Sequence, residues 1–200
     1  MTDQLDTIES LQHRLAEREE QYRRSERVQT ALYEIADAAS SVTDMQEFYA
    51  RLHEIIARLI YAKNFFIAIL DRDSGVLNWP YHVDEKDAGE WPAAPYREDK
   101  GVTSYVLRTG KSLHGAADVS GLIKSGELEI IGTLAHDAIL IPLKVDSNIL
   151  GALCIQSYTE GLGYTEQDVQ LLEFVGQHIA TALLHARLIE ETLQRNNELA

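Results

Sequence analysis

The residues best suited to bind a ligand stand together in one segment, VLNWPYHVDE, at positions 76–85. This segment combines two polarisable rings, Trp79 and Tyr81, with the imidazole of His82 and the carboxylate of Asp84. Ligand pockets typically pair apolar walls with a few polar groups that fix the orientation of the ligand. The segment therefore predicts either the wall of a pocket or an ordinarily packed strand.

The alternation of a β-strand predicts which of these side chains share a face. Because successive side chains point to opposite sides, Trp79 and Tyr81 are expected on one side, and His82 and Asp84 on the other. If the aromatic side faces a cavity, both rings line it. Asp84 and Glu85 at the rim would then either select a cationic or hydroxylated ligand or simply be solvated. Pro80 cannot donate to a neighbouring strand, which predicts that the strand lies at a sheet edge or is bulged there.

Two aromatic residues elsewhere are further candidates for the same cavity. Tyr105 belongs to a short predicted helix, and Trp91 belongs to an acidic loop over residues 84–100. Loops of this length tend to be functional, so Trp91 is expected either to cover the cavity as a lid or to anchor the loop. For each candidate the alternative is simple hydrophobic packing.

Thiol and imidazole groups are too few or too scattered to predict catalysis or metal binding. Cys154 is the single cysteine of the 200 residues, which excludes an internal disulfide and a zinc site built from cysteines. The seven histidines are dispersed, and only His178 and His185 repeat along one predicted helix. The sequence contains no nucleophile elbow, metalloprotease helix motif or phosphate-binding loop. We therefore predict no catalytic residue and no metal ligand.

The charge balance narrows the range of partners. A net charge of −14 argues against nucleic acid, because few basic groups are available to neutralise phosphates, and against an anionic membrane surface. No apolar run approaches the length of a membrane-spanning helix, and the N-terminus lacks the pattern of a signal peptide. These features favour a cytoplasmic protein that is not inserted into a membrane.

The first 27 residues predict a helix with a weak heptad pattern, in which Ile8, Leu11 and Leu15 follow spacings of three and four. A helix that cannot bury a full apolar stripe alone more often finds a partner. The pattern therefore predicts a parallel coiled-coil dimer, and a solvated single helix is the alternative. Helical periodicity continues over residues 28–40.

Capping signals predict where the other helices begin. Thr43 and Gln46 form a capping box for a helix that is expected to end near Ala62, and Thr165 and Asp168 form another for the last helix. Two short helices are expected between them, over 101–111 and 118–126. The last helix keeps its three-four rhythm to the end of the sequence, which favours a piece of a longer protein.

Short apolar runs predict the strands. Two hairpins are expected, 64–71 with 76–84 and 138–145 with 149–158, and shorter strands or extended segments at KSLHGA and ELEIIG. Strands bracketed by helices in this order predict an α+β sandwich with an antiparallel sheet.

From about residue 28 to 187 the chain resembles a GAF domain, a small-molecule sensing module of bacterial signalling proteins. The resemblance rests most specifically on ILIPLKVDSNILGALCIQSY and on YTEQDVQLLEFVGQHIATALLHARL, and also on NFFIAILDRDSGVL and GVTSYVLRTGK. It is greatest to GAF domains that stand ahead of diguanylate cyclase or histidine kinase domains. The resemblance implies a six-stranded antiparallel sheet with helices on both faces and a cavity under the short helices.

The same resemblance implies a domain organisation and a mode of action. Residues 1–27 would form an N-terminal coiled coil, 28–187 the GAF domain, and 188–200 a helical linker toward a missing output domain. A small molecule or partner would act on the domain, and a homodimer formed through the terminal helices would relay the signal. A dimerisation module with a closed pocket is the alternative.

Known chemistries of the family find weak support in this sequence. Asn64 is followed by two phenylalanines, which departs from the pattern of cyclic-nucleotide binders. Cys154 lies in the middle of a predicted strand, where a bilin attachment site is not expected. Reduction of free methionine sulfoxide needs one thiol to attack and another to resolve the intermediate, and one cysteine cannot do both within a chain. The cofactor, if one is bound, and the ligand stay unidentified at this point.

Overall fold

The computed structural model describes residues 2–87, 89, 91–96, 101–129 and 132–198. Within these ranges the chain forms five helices and six strands, whose bounds follow in chain order: α1 Thr2–Ser40, α2 Met45–Ala57, β1 Asn64–Asp71, β2 Val76–Val83, β3 Ala94–Pro95, α3 Val102–Thr109, β4 Leu113–His114, α4 Gly115–Lys124, β5 Asp137–Val145, β6 Asn148–Ser157 and α5 Glu166–Glu198. The sheet is antiparallel throughout, in the order β3-β2-β1-β6-β5-β4. The predicted six-stranded α+β architecture is therefore confirmed.

The sheet separates two apolar layers because its central strands are apolar on both sides. In β1, seven of the eight residues are buried. Phe65 and Ile67 face the layer built with α1, α2 and α5, and Phe66 and Ala68 face the layer that includes α3. We call the side of Phe65 and Ile67 the helix face, and the side of Phe66 and Ala68, where the sequence predicts a ligand cavity, the ligand face of the sheet.

The long last helix covers the helix face as the sequence predicts. Leu172, Val175, Ile179 and Leu183 are all buried, none of them more than 1% exposed. Full burial of side chains of this size stabilises the fold by about 1.5–3 kcal/mol each. The α5 helix is thus anchored to the back of β5, which lies directly beneath it.

Helices α1 and α5 lie side by side and run in the same direction. Arg24 of α1 donates a hydrogen bond to Gln167 at the start of α5, over 2.7 Å. Tyr49, in the helix that follows α1, lies beside Arg187 further along α5. The N-terminal part of α1 and the C-terminal part of α5 therefore leave the domain at opposite ends.

Three of the predicted helix boundaries need correction. The cap of α2 is Asp44, not Thr43, because the Asp44 carboxylate accepts a hydrogen bond from the Gln46 amide at 2.8 Å. The same helix ends at Ala57, and irregular turns carry the chain to β1. Helix α4 begins at Gly115, so Asp118 lies in its first turn instead of capping it.

Other predicted elements agree with the structure. Both hairpins form, and the KSLHGA segment contains β4. The predicted capping box of α5 also forms: the Thr165 hydroxyl accepts from the Asp168 amide at 3.3 Å, and the Asp168 carboxylate accepts from the Thr165 amide at 2.9 Å. The acidic loop also contains the short strand β3. The described part of ELEIIG, residues 127–129, contains no strand, and residues 130 and 131 lie outside the described residues. Among the helices described here, none is both long and apolar enough to span a membrane.

Candidate ligand site

A β-bulge in β2 changes the side on which the candidate residues lie. Ile67 pairs with Tyr81 and Ile69 pairs with Asn78, so Trp79 and Pro80 together stand opposite one residue of β1. An extra residue in one strand reverses the alternation beyond it. The predicted irregularity at Pro80 is confirmed, but the prediction that Trp79 and Tyr81 share one side is wrong.

Tyr81 lies on the helix face, away from the cavity. Its hydroxyl is 3.0 Å from Nδ1 of His53, and Nε2 of His53 is 2.6 Å from the carbonyl oxygen of Ala62. Because a carbonyl can only accept, Nε2 carries a proton and donates to Ala62, while Nδ1 pairs with the hydroxyl of Tyr81. Burial raises the pKa of Tyr81, and the nearby Glu54 adds to this effect. Tyr81 therefore binds the strand to α2.

On the ligand face, four rings form what we call the aromatic cluster: Phe66, Trp79, His82 and Trp91. The indole of Trp91 stacks on His82 with a centroid distance of 4.6 Å and an angle of 13°. It meets Phe66 and Trp79 edge to face, at 5.4 and 6.3 Å. His82, predicted on the side opposite Trp79, thus lies with it because of the bulge.

Trp91 is held by a hydrogen bond as well as by ring contacts. Its Nε1 donates to the carbonyl oxygen of Asp87 over 3.1 Å, and Nε2 of His82 lies 2.6 Å from the carbonyl oxygen of Gly89. Both bonds fix rings of the cluster to the acidic loop. The prediction of an anchor fits this geometry, and the role of a lid stays a prediction.

Asp84 is the centre of a polar network at the edge of the cluster. Its carboxylate accepts hydrogen bonds from the amides of Lys86 and Asp87, from Nε2 of Gln156 and from the hydroxyl of Tyr158, at 2.8–3.0 Å. These donors occupy both carboxylate oxygens. The geometry favours a role for Asp84 in holding the loop onto β6 over the predicted role of selecting a ligand.

Asp87 extends this network to the segment that follows α4. Its carboxylate accepts from the amide and the hydroxyl of Thr133, at 2.9 and 2.8 Å. Buried Asn64 adds another tie, because it accepts from the amide of Glu85 and donates to the carbonyl of Gln156. Glu85 also forms an ion pair with Lys63, which lowers the pKa of the carboxyl. The acidic loop is therefore bound along its first residues.

A cavity of about 90 Å³ lies on the ligand face beside the aromatic cluster. Its described walls are Phe66, Val102, Leu113, Gly115, Val119, Thr133, Leu134, Ala135, Asp137, Ala138, Leu140, Cys154 and Gln156. Of the six residues predicted from sequence, none is among these walls. Tyr105 packs in the apolar layer of this face and contacts Arg108. Pockets for drug-sized ligands usually measure about 300–1,000 Å³, so this cavity is small.

Two larger concavities lie elsewhere on the surface. One, of about 860 Å³, runs between α1 and α2 beside Arg23 and Arg58. The other, of about 460 Å³, lies between β4 and α5 beside Lys111 and Glu173. Their walls carry charges of both signs, and the larger one contains none of the aromatic or network residues described above. We therefore assign the candidate site to the ligand face.

Several residues that build this site escape prediction from the sequence. Phe66, Asp87, Thr133, Gln156 and Tyr158 come from four separate segments. The alternation of NFFIAILD could have placed Phe66 opposite Phe65, but only the fold brings the remaining four together.

The buried thiol of Cys154 gives a first prediction. Its side chain is 3% exposed, and burial raises the pKa of the thiol far above its ordinary value. Because the thiolate is the reactive form, we expect a thiol reagent to label the folded protein at least about tenfold more slowly than the unfolded protein. Mass spectrometry in buffer and in denaturant measures both rates, and rapid labelling in buffer would contradict the placement of Cys154.

Two phenols, half-buried Tyr158 and buried Tyr164, predict a loss of stability in alkali. Burial, followed by the hydrogen bond to Asp84, raises the pKa of Tyr158, and burial raises that of Tyr164. Free phenols ionise near pH 10, so above about this pH the unfolded chain binds fewer protons than the folded chain. The free energy of unfolding then falls as the pH rises.

Urea unfolding at a series of pH values measures this decline. We expect Tyr158→Phe and Tyr164→Phe each to make the decline above about pH 10 less steep. The control is Tyr33→Phe, because Tyr33 is 74% exposed. An equal slope in all three variants would show that other groups cause the decline.

A protein-family model described as "GAF domain" matches residues 42–184. A methyl-accepting chemotaxis protein, residues 122 to 287, is similar in structure with a TM-score of 0.64 and 15% identity, over 78% of this chain and 98% of that one. The GAF domain of a phosphoenolpyruvate-protein phosphotransferase from Coxiella burnetii gives 0.62 and 16%, over 80% and 95%.

A structural neighbour with an enzymatic name is the free methionine-R-sulfoxide reductase from Neisseria meningitidis, in complex with its substrate. It has a TM-score of 0.60 and 17% identity, over 81% of this chain and 91% of that one. The search of curated proteins gave no significant match to the chain. At these identities the structural similarity establishes the fold and leaves activity open.

Proposed function

The chain belongs to the GAF family, whose members are typically sensory or regulatory domains of signalling proteins, and on that premise we propose that it is a cytoplasmic sensory domain. In this proposal a small molecule or partner acts on the ligand face. A homodimer formed through the terminal helices relays the change to an output domain, a diguanylate cyclase or a histidine kinase.

The main support for the proposal is that a single β-sheet separates the cavity from the helices that pack on its other face. Cys154 of β6 borders the cavity, while its neighbours Leu153 and Ile155 are fully buried in the helix face. Interiors are close-packed and transmit displacements to adjacent groups. Leu140 of β5 lines the same cavity, and its neighbours Ile139 and Ile141 are buried in the layer under α5. A shift of β5 and β6 at the cavity therefore changes the surface on which α5 packs.

Exposed apolar residues on the long helices support the dimer. They are Leu11, Leu15, Tyr22 and Tyr33 on α1, and Phe174, Leu184, Leu188 and Leu193 on α5, all between 37% and 74% exposed. Phe174 and Leu188 are two heptads apart, and Leu184 is one helical turn before Leu188. Exposed apolar rows of this kind typically mark interaction surfaces.

The mass of the protein in solution tests the dimer. We expect the full chain to be a dimer, and Leu184→Glu with Leu188→Glu to be a monomer, because charges cannot be buried unpaired in an apolar interface. Leu162→Glu is the matched control, since Leu162 and Leu184 are each 37% exposed and Leu162 lies outside the helices. A monomeric full chain, or a double variant that stays dimeric, contradicts this part of the proposal. Deleting residues 1–25 then measures the contribution of α1.

A thermal-shift screen against nucleotides, amino acids and tetrapyrroles tests ligand binding. A ligand present at a hundred times its Kd stabilises the folded state by about 2.7 kcal/mol. Reproducible stabilisation by one class supports a sensor, and its absence across all classes supports the second candidate.

The second candidate is a dimerisation module that binds no ligand. The observation that favours it is the size of the cavity, about 90 Å³, next to an aromatic cluster that fills the space beside it. In this case the helix interface would be the functional surface, and variants of the cluster would change stability without changing any binding.

A further inference from the structure

The indole of Trp91 occupies a site whose parts resemble those of a ligand pocket. One ring face stacks on His82, the ring meets Phe66 and Trp79 edge to face, and the single polar atom donates to a backbone carbonyl, that of Asp87. Apolar walls with one or two orienting polar groups are the usual composition of a small-molecule site. Trp91 itself is half-buried and belongs to a loop rather than to the sheet.

The site of Trp91 and the cavity share Phe66 as a wall. Phe66 contacts the indole and also lines the cavity, and Thr133 lines the cavity while binding the carboxylate of Asp87. Removal of the indole would therefore join its site to the 90 Å³ already present. We expect this combined space to extend from His82 to Cys154 along the ligand face.

We propose that the site of Trp91 binds a planar heteroaromatic molecule with an N–H donor, and that Trp91 occupies the site in the absence of this ligand. The inference rests on the proposed sensory function and names the ligand class. The bound ring stacks on His82 and donates to the carbonyl oxygen of Asp87, replacing the indole in both contacts. Trp91 is displaced when the ligand binds.

The charges around the site restrict the ligand further. Asp84 and Asp87 lie on the loop beside the cluster without a basic side chain of the described residues paired to them, whereas Glu85 is paired with Lys63, and the chain carries a net charge of −14. A phosphate or carboxylate on the ligand would be repelled there. The ligand is therefore neutral or cationic, which separates it from nucleotides.

Two tryptophan variants test the assignment with indole as the probe. In Trp91→Ala the site is empty, whereas Trp79→Ala removes an indole of the same size from the same cluster but leaves Trp91 in place. We expect Trp91→Ala to bind indole at least about tenfold more tightly than either Trp79→Ala or the unmodified chain, because the competing ring is gone. Equal binding by the two variants would overturn the proposal, since it would reflect only an apolar hole.

A second probe tests the polar contact. 1-Methylindole has the same ring but lacks the N–H, so it leaves the carbonyl of Asp87 without its partner. We expect Trp91→Ala to bind 1-methylindole about tenfold more weakly than indole. Equal affinity for the two probes, measured by calorimetry, would overturn the assignment of the donor.

If Trp91→Ala does not fold, fluorine NMR tests the displacement of Trp91 in the chain without substitutions, labelled with 5-fluorotryptophan. The chain has two tryptophans, Trp79 and Trp91, so two resonances are expected. Indole at a saturating concentration should move the Trp91 signal to the position of an exposed ring. A Trp91 signal that stays in place at saturation would overturn the displacement.

These results separate failure of the inference from failure of the proposed function. If a non-planar ligand stabilises the unmodified chain while the Trp91 signal stays in place, the sensory function is supported and the proposed class of ligand is rejected. If no compound stabilises the unmodified chain or the Trp91→Ala variant, both the sensory function and the ligand class are rejected, and the dimerisation module with a closed pocket is supported.

Discussion

Gly151→Ala should lower the free energy of unfolding by about 3 kcal/mol or more, at the upper end of overpacking effects. Gly151 lies in β6, between Ile69 of β1 and Leu143 of β5. A Cβ atom there would overlap the backbone carbonyl oxygen of Ala68 and lie 3.0 Å from Cδ1 of Ile69. Backbone in the middle of a sheet cannot move aside without breaking its own hydrogen bonds, so the substitution lowers the stability of the whole domain.

Two other glycines provide matched controls for this measurement. Gly121 lies in α4 with no heavy atom within 4 Å of the added Cβ, so Gly121→Ala should be neutral or stabilising by up to about 1 kcal/mol. At Gly176 the added Cβ would meet the flexible end of Ile141, which can change rotamer, so Gly176→Ala should fall between the two. Urea unfolding of the three variants gives the order. A Gly151→Ala variant as stable as Gly121→Ala would contradict the packing described for β6.

Asp84→Ala should cost about 3 kcal/mol, because hydrogen bonds to a charged group contribute about 1.5–3 kcal/mol and the variant leaves several donors unpaired. The amides of Lys86 and Asp87 lose their acceptor at the start of the loop. Gln156 and Tyr158 lose theirs on and just after β6. The loop should also become more accessible to protease, because these bonds hold it to the sheet.

Two variants control for this prediction. Asp84→Asn keeps one acceptor oxygen and should recover part of the stability. Asp73→Ala removes an exposed acid from the turn between β1 and β2 and should change stability by less than about 0.5 kcal/mol. Denaturant unfolding and limited proteolysis are measured on all three. If Asp84→Ala is cleaved in the loop no faster than Asp73→Ala, the network does not hold the loop.

Sequence patterns predict the layers of this fold well, because the layers depend on periodicity. The strand NFFIAILD is apolar at nearly every position, which predicts burial on both sides, and the structure places alternate residues in the two layers. The rhythm of α5 likewise predicts its buried stripe. Each of these apolar patterns is local and recurs along the whole length of its element.

The candidate site is predicted less well, because it depends on one irregular position and on contacts between distant segments. Pro80 signals an irregular strand, but nothing in its neighbours shows that an extra residue is accommodated there, and that residue moves Tyr81 to the helix face. The bonds from Asp84 to Gln156 and Tyr158 span more than 70 residues of sequence. Such pairs exist only once the hairpins have docked.

The bulge at Trp79 and Pro80 has a further consequence, for self-association. In the described part of the chain, β3 pairs only with Val76 and Leu77, so the outer side of β2 beyond them has no neighbouring strand. A long open edge can pair with the same edge of another molecule and start aggregation. Pro80 presents no donor there, its carbonyl is already bound by the Gln46 side chain at 3.0 Å, and the bulge twists the strand. The irregular residue that redistributes the rings also protects the sheet from extending into a second molecule.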